Sequence, residues 1–169
     1  MLPLAVPGMQ HVAFASYRSR RARSVAEFLA VYLSVWLAAI TIIDLPIQGA
    51  LRTDRILTFI VVFAAAAAWQ LMPLKRRALL RCHRTPAIAA RGWRADLSCM
   101  RFGASLGLSC VASCWLLMAA ATEAGDLWAM ALIFVLQFSE RFGSPTRVPA
   151  SGPLIAVLGL LVLAAHSAA

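Results

Sequence analysis

The chain has 169 residues, of which 62% are hydrophobic and 14% are charged, and its formal net charge is +9. Soluble domains are about 45–50% apolar and about 25% charged, so this composition excludes an ordinary soluble domain and indicates a membrane protein. The basic residues lie between apolar runs, as membrane topology requires. The positive charge therefore predicts a lipid bilayer as partner and no nucleic acid.

The apolar segments predict an all-α, polytopic helical membrane protein. Residues 1–16 are apolar but short, and they resemble the second half of a helix. Because a spanning helix needs about 20 apolar residues, we expect about five transmembrane helices after this partial helix, in a single integral membrane domain covering 1–169. The predicted spans are 25–43, 56–74, 103–121, 127–138 and 153–165, with a basic cytoplasmic loop at 75–102. The fourth is short enough to fit a re-entrant segment as well.

The distribution of charge predicts the orientation. Fourteen of the sixteen Lys and Arg residues lie in three alternate segments, 17–24, 75–102 and the segment after 138. By the positive-inside rule these segments are cytoplasmic and the C-terminus is periplasmic, in a bacterial inner membrane. The sequence contains no Gly-rich phosphate loop, no Ser/His/Asp set and no pair of carboxylates. We therefore expect a protein that is not an enzyme.

The stretch GASLGLSCVASCWLLM contains the first candidate metal ligands. Cys110, Cys114 and Met118 follow one another at four-residue intervals, so their sulfur atoms share one helix face. Thiolate and thioether sulfurs select Cu(I), and thiolates also bind zinc. Gly103 and Gly107 extend the same region as small residues, and such residues also allow close helix packing. The spacing alone leaves metal binding and packing open.

Two further groups carry candidate ligands. Cys82 and His83 lie in the basic loop and Cys99 lies near its end, which is a suitable donor set for zinc or copper at the cytoplasmic boundary. The alternative is a basic interfacial loop that binds anionic lipid head groups. Met9 and His11 are predicted at about the depth of Cys110, roughly 13 Å from the boundary. His11 either completes a site with Cys110 or caps a neighbouring backbone group.

Three stretches carry a family resemblance: WQLMPLKRRALLRCHRTP, GASLGLSCVASCWLLM and MALIFVLQFSE. They resemble the bacterial family of predicted metal-binding integral membrane proteins, also called domain of unknown function 2182. The matching positions are Trp69, Gln70, Leu71, Pro73, Leu74, Lys75, Cys82, Cys110, Cys114, Trp115, Leu117, Met118 and Glu140, with Tyr32 and Trp36 in the preceding span. Ser113 and Ala78 stand where relatives have further cysteines. Relatives also carry a methionine-rich stretch upstream, so we expect this chain to be short at its N-terminus.

The residues and the resemblance together predict an inner-membrane protein that binds or hands on a soft metal ion through intramembrane thiols. Cu(I) is favoured over zinc because sulfur donors dominate the candidate ligands. The expected partners are a metal donor or acceptor protein, and a membrane-protein partner or a second copy of the chain. The alternative is a non-catalytic interaction or assembly subunit whose cysteines only pack helices. A small transporter is less favoured, because the spans lack central acidic residues for coupling ions.

Overall fold

The computed structural model describes residues 2–51, 55–89, 92–124, 127–142 and 157. Within these residues the secondary structure is helical, without strands, and this confirms the predicted all-α class for that part of the chain. The helices are α1 (Leu2–Ala15), α2 (Arg21–Leu51), α3 (Arg55–Leu71), α4 (Pro73–Cys82), α5 (Trp93–Ala124) and α6 (Leu127–Phe142).

Two of the described helices are long and apolar enough to cross a membrane, namely Arg21–Ile43 of α2 and Trp93–Thr122 of α5. A third span is obtained if α3 and α4 count as one bent element. The predicted fourth span falls on α6, whose apolar part is shorter. The predicted fifth span, 153–165, lies outside the described residues except for residue 157. Five transmembrane helices therefore stay a prediction.

The predicted span 56–74 is interrupted, because α3 ends at Leu71 and α4 begins at Pro73 with a bend of 70°. Proline has no N–H to donate and disfavours helical geometry in the residue before it, so Met72 leaves the helix. Proline is well suited to the first position of the next helix. The segment predicted as a loop at 75–102 is thus largely helical, with extended backbone at 84–89 between α4 and α5.

The chain forms two compact units. The first unit comprises Met1–Ile40 and Ala78–Ala112, and the second comprises Thr41–Arg77 and Ser113–Ala169. The core of the first unit is aromatic: Phe28 of α2 stacks on Tyr32 and packs against Phe102 of α5, with ring centroids 6.1 and 5.3 Å apart. All three rings are buried.

Close packing of α5 against α2 in the first unit depends on a glycine. A Cβ atom added to Gly103 would lie 2.6 Å from the carbonyl oxygen of Phe28, a distance that real Cβ atoms do not adopt. At Gly107 the added Cβ would lie 3.1 Å from Cβ of Val35. Gly103 and Gly107 therefore have their packing partners within the chain.

Ion pairs fix the beginning of α5. Asp96, in the first turn of α5, pairs with Arg20 and also with Arg23, the latter at 2.9 Å. Arg20 also donates to the carbonyl oxygen of Gly92 at 3.1 Å. Gly92 has φ of 72°, a left-handed conformation that glycine adopts without strain. An acidic residue in the first turn also interacts favourably with the helix dipole.

The second unit has its own apolar core between α3, α5 and α6. Its buried members are Phe63, Ala66, Leu117, Ala120, Ala121 and Ile133. Three of these six residues are alanines from the sequences AAAAA and MAAA, and their small side chains allow the helices to approach closely. Next to this core, the rings of Trp69 and Trp115 meet edge to face at 5.9 Å.

Candidate metal centre

Two of the predicted ligands meet inside the first unit. Cys82 is the last residue of α4 and Cys110 lies in the middle of α5, and their Sγ atoms are 3.8 Å apart. Both residues are buried, with 5% and 3% of their surface exposed. The contact brings together two thiols that are 28 residues apart in the chain. The sequence analysis had assigned these two cysteines to different candidate sites.

The separation of the two sulfur atoms is compatible with a shared metal ion. With metal–thiolate bonds of about 2.3 Å, a separation of 3.8 Å corresponds to an S–metal–S angle of about 110°. A linear site with the same bonds needs sulfur atoms about 4.6 Å apart. The observed pair therefore suits an ion with three or four donors, or a linear ion after a small side-chain rotation. None of the four cysteines is in a disulfide.

The other predicted donors of the first unit have separate surroundings. Cys99 is fully buried, whereas His83 is exposed. Met9 is half-buried on α1. The Nε2 atom of His11 lies 3.0 Å from the carbonyl oxygen of Pro86, and its ring packs edge-on against a phenylalanine of α5. Of the two roles considered for His11, the structure contains the contact with a backbone group.

Cys114 and Met118 follow on α5, in the part of that helix that belongs to the second unit. Cys114 is buried and Met118 is half-buried. The Nζ atom of Lys75 interacts electrostatically with the Cys114 side chain and lies 2.6 Å from Oε2 of Glu140. Cys114 therefore lies near a buried ion pair of the second unit.

The family model described as PpoB2, copper chaperone, matches residues 1–167. The chain belongs to the PpoB2 copper chaperone family. The comparison with curated proteins and the comparison with solved structures gave no match. Membership of the PpoB2 family agrees with the expected copper-related role, and it is consistent with copper as cargo and with a protein that donates or accepts the metal.

Within the described residues of this PpoB2 family member, no three His, Cys, Asp or Glu side chains form a group that could hold a metal ion. Each predicted ligand therefore stays a prediction, although Cys82 and Cys110 are in contact. A site with three donors around this pair needs a donor of another type, such as a methionine thioether, which binds Cu(I) readily.

The sequence analysis missed a buried polar group in the second unit. Glu140, which the sequence analysis names only as a position of the family resemblance, pairs with Lys75, whose side chain is 0% exposed. Gln70 and Gln137 are also buried, and their side-chain amides have no hydrogen-bond partner within the described residues. In the sequence, the position of Gln137 one helical turn before Glu140, on a largely apolar helix, could have indicated this buried polar group.

Proposed function

We propose that this chain is a membrane-embedded copper chaperone that holds Cu(I) between Cys82 and Cys110 and passes it to an acceptor protein. The observation that carries the proposal is the contact of the two buried thiols at 3.8 Å. Membership of the PpoB2 copper chaperone family supports copper as the metal. Since the metal binds and leaves without a chemical transformation, copper is cargo and the protein is not an enzyme.

Burial of the thiol pair suits a carrier of Cu(I). Two thiolates bind a soft monovalent ion tightly, and burial keeps competing water ligands away from it. Metal binding also displaces the thiol protons, so the pair becomes charged only when the cation is present. The angle of about 110° leaves room for a third donor, and the thioether of Met9, a candidate ligand from the sequence, is the donor that we propose.

The proposed setting is the bacterial inner membrane, with the basic segments in the cytoplasm. The apolar helices α2 and α5 support this setting by their length and composition. Cys82 lies at the end of a helix with four basic residues, Lys75, Arg76, Arg77 and Arg81. In this orientation copper enters or leaves at the cytoplasmic side.

Metal analysis of purified protein tests the site. The protein in neutral detergent is loaded anaerobically with Cu(I), desalted, and assayed for copper and protein. We expect about one copper per wild-type chain, and loss of that copper in both Cys82→Ser and Cys110→Ser. Cys99→Ser is the matched control, because it removes another buried thiol of α5, and it should retain copper. X-ray absorption should detect two or three sulfur ligands in the wild type.

Two outcomes contradict the proposed site. Equal copper in wild type, Cys82→Ser and Cys110→Ser would make the pair a packing contact and favour the assembly subunit. Loss of copper in Cys114→Ser and Met118→Leu, but not in Cys82→Ser, would move the site to the part of α5 in the second unit. Membrane insertion is tested separately by extraction of bacterial membranes at alkaline pH, which should leave the protein in the membrane pellet.

A further inference from the structure

A cleft of about 580 Å³ opens in the first unit, away from the thiol pair. One wall is the stripe of α5 formed by Arg94, Leu97, Ser98, Arg101 and Ser105, and the other is the extended backbone at Pro86 and Ala87. Residues spaced by three, four and seven positions lie on one helix face, so the two arginines flank the apolar and hydroxyl groups between them. The cleft therefore combines positive charge with an apolar floor.

The extended wall of this cleft is held in place by hydrogen bonds at two points. The carbonyl oxygen of Pro86 contacts Nε2 of His11 at 3.0 Å, and the N–H of Ala89 donates to Oγ of Ser98 at 3.2 Å. Ser98 in turn donates to a carbonyl oxygen of its own helix at 2.8 Å. The cleft is thus formed by a hydrogen-bonded segment and a helix.

Within the described residues, no ion pair neutralises the positive charge of the cleft. Arg94 and Arg101 are exposed, and no ion pair joins either guanidinium to a carboxylate of the described residues. The nearest acidic residue in sequence, Asp96, is already paired with two other arginines. Arginine binds phosphate oxygens through two parallel N–H donors, so this pair of guanidinium groups suits a phosphate group.

The apolar part of the cleft suits the glycerol and acyl portion of a lipid. Leu97 and Phe102 contribute to the lining, and Trp93 at the entrance is 69% exposed. The guanidinium of Arg94 lies 5.8 Å from the centre of the Trp93 ring. Tryptophan is enriched where hydrocarbon meets the head-group region, and Trp93 is the first residue of a helix long and apolar enough to span.

We propose that this cleft binds one anionic phospholipid, with Arg94 and Arg101 on its phosphate group and the first part of its acyl chains against Leu97 and Phe102. The proposal rests on the membrane location in the proposed function, but it does not require copper. The proposed lipid site is separate from the thiol pair, because Cys82 and Cys110 do not line the cleft.

Native mass spectrometry of the detergent-purified, delipidated protein tests the proposal. Short-chain phosphatidylglycerol, short-chain phosphatidylcholine and inorganic phosphate are added separately, and bound molecules are counted. We expect one tightly bound phosphatidylglycerol. Since a basic residue near an anionic lipid contributes about fivefold in affinity, Arg94→Gln/Arg101→Gln should weaken binding about 30-fold. The matched control is Arg76→Gln/Arg77→Gln, which removes two exposed arginines of α4 and should bind as wild type does.

A second variant tests the cleft without changing charge. Ala87→Trp places a ring in the cleft and should also prevent binding of phosphatidylglycerol. Equal loss in the control pair, equal binding of phosphatidylcholine, or binding of inorganic phosphate as tight as that of the lipid would each overturn the proposal. Normal copper loading and membrane insertion together with absent lipid binding would refute this proposal alone, whereas extraction from membranes at alkaline pH would refute the membrane location.

Discussion

Replacing Glu140 with glutamine removes one charge from a buried ion pair and leaves the Lys75 ammonium without its anion. The two atoms of the pair are 2.6 Å apart, and 0% and 6% of the two side chains are exposed. Opposite unit charges at 2.6 Å attract by about 6 kcal/mol at an effective dielectric constant of about 20. Burial of each ion costs several kcal/mol, so the pair as a whole contributes little net stability.

The two kinds of variant should therefore differ strongly. Removing one partner keeps the burial cost of the other, and we expect Glu140→Gln to lose about 3–5 kcal/mol. The double variant Lys75→Met/Glu140→Leu removes both charges, and it should lie within about 1 kcal/mol of the wild type or above it. Arg23 is the control, because its ion pairs with Glu27 and Asp96 lie at the surface and Arg23→Gln should change the stability much less than Glu140→Gln does.

Thermal unfolding in detergent, followed by tryptophan fluorescence, measures these effects. For a chain of this size about 1 kcal/mol corresponds to about 2–4 °C, so Glu140→Gln should lower the midpoint by about 6–20 °C. The reasoning is refuted if the double variant is as unstable as Glu140→Gln. It is also refuted if Glu140→Gln changes the midpoint no more than the exposed control does.

Three further predictions concern the first unit and its neighbourhood. Gly103→Ala should lower the free energy of unfolding by about 1–3 kcal/mol, because its Cβ would meet a carbonyl oxygen of α2 at 2.6 Å. At Gly49 an added Cβ meets no described atom within 4 Å, so Gly49→Ala should raise the free energy of unfolding by about 0.5–1 kcal/mol in the same assay. Asp96→Asn should lower stability by about 1 kcal/mol at low salt and by less at high salt, since it weakens two partly exposed ion pairs; an effect independent of salt would contradict this. Mild oxidation of copper-free protein should form a disulfide between Cys82 and Cys110, which peptide mass spectrometry detects. Prior loading with Cu(I) should prevent this disulfide. A disulfide to another cysteine instead would show that the 3.8 Å contact is wrong.

The long helices could be predicted from the sequence because their signal is local. Runs of apolar residues bounded by arginines indicated most of α2 and α5, and the short apolar run at 127–138 indicated α6. Pro73 itself is visible in the sequence, but hydropathy averaged over a span does not detect the helix break that its missing backbone N–H causes. The predicted span therefore continued to residue 74, past the end of α3.

The contacts at the candidate site could not be predicted in the same way. The four-residue spacing of Cys110 and Cys114 is readable along one helix, whereas the approach of Cys82 to Cys110 depends on how α4 returns towards α5. Likewise, Glu140 has an arginine next to it in sequence, but the packing of the second unit pairs it with Lys75, 65 residues away. For His11 the two possible roles differ by contacts with a segment 75 residues away, which no local pattern encodes.

The position of the two thiols also has a consequence for the chain between them. An ion bonded to both sulfur atoms closes a loop of 28 residues, and a cross-link of this length removes about 3.5 kcal/mol of conformational entropy from the unfolded chain. The loop includes the extended segment at 84–89 and the first half of α5. If the ion binds as proposed, a loaded molecule should resist unfolding and proteolysis in this loop more than an empty one. Removal of the ion by an acceptor should open the loop again and make the chain easier to unfold.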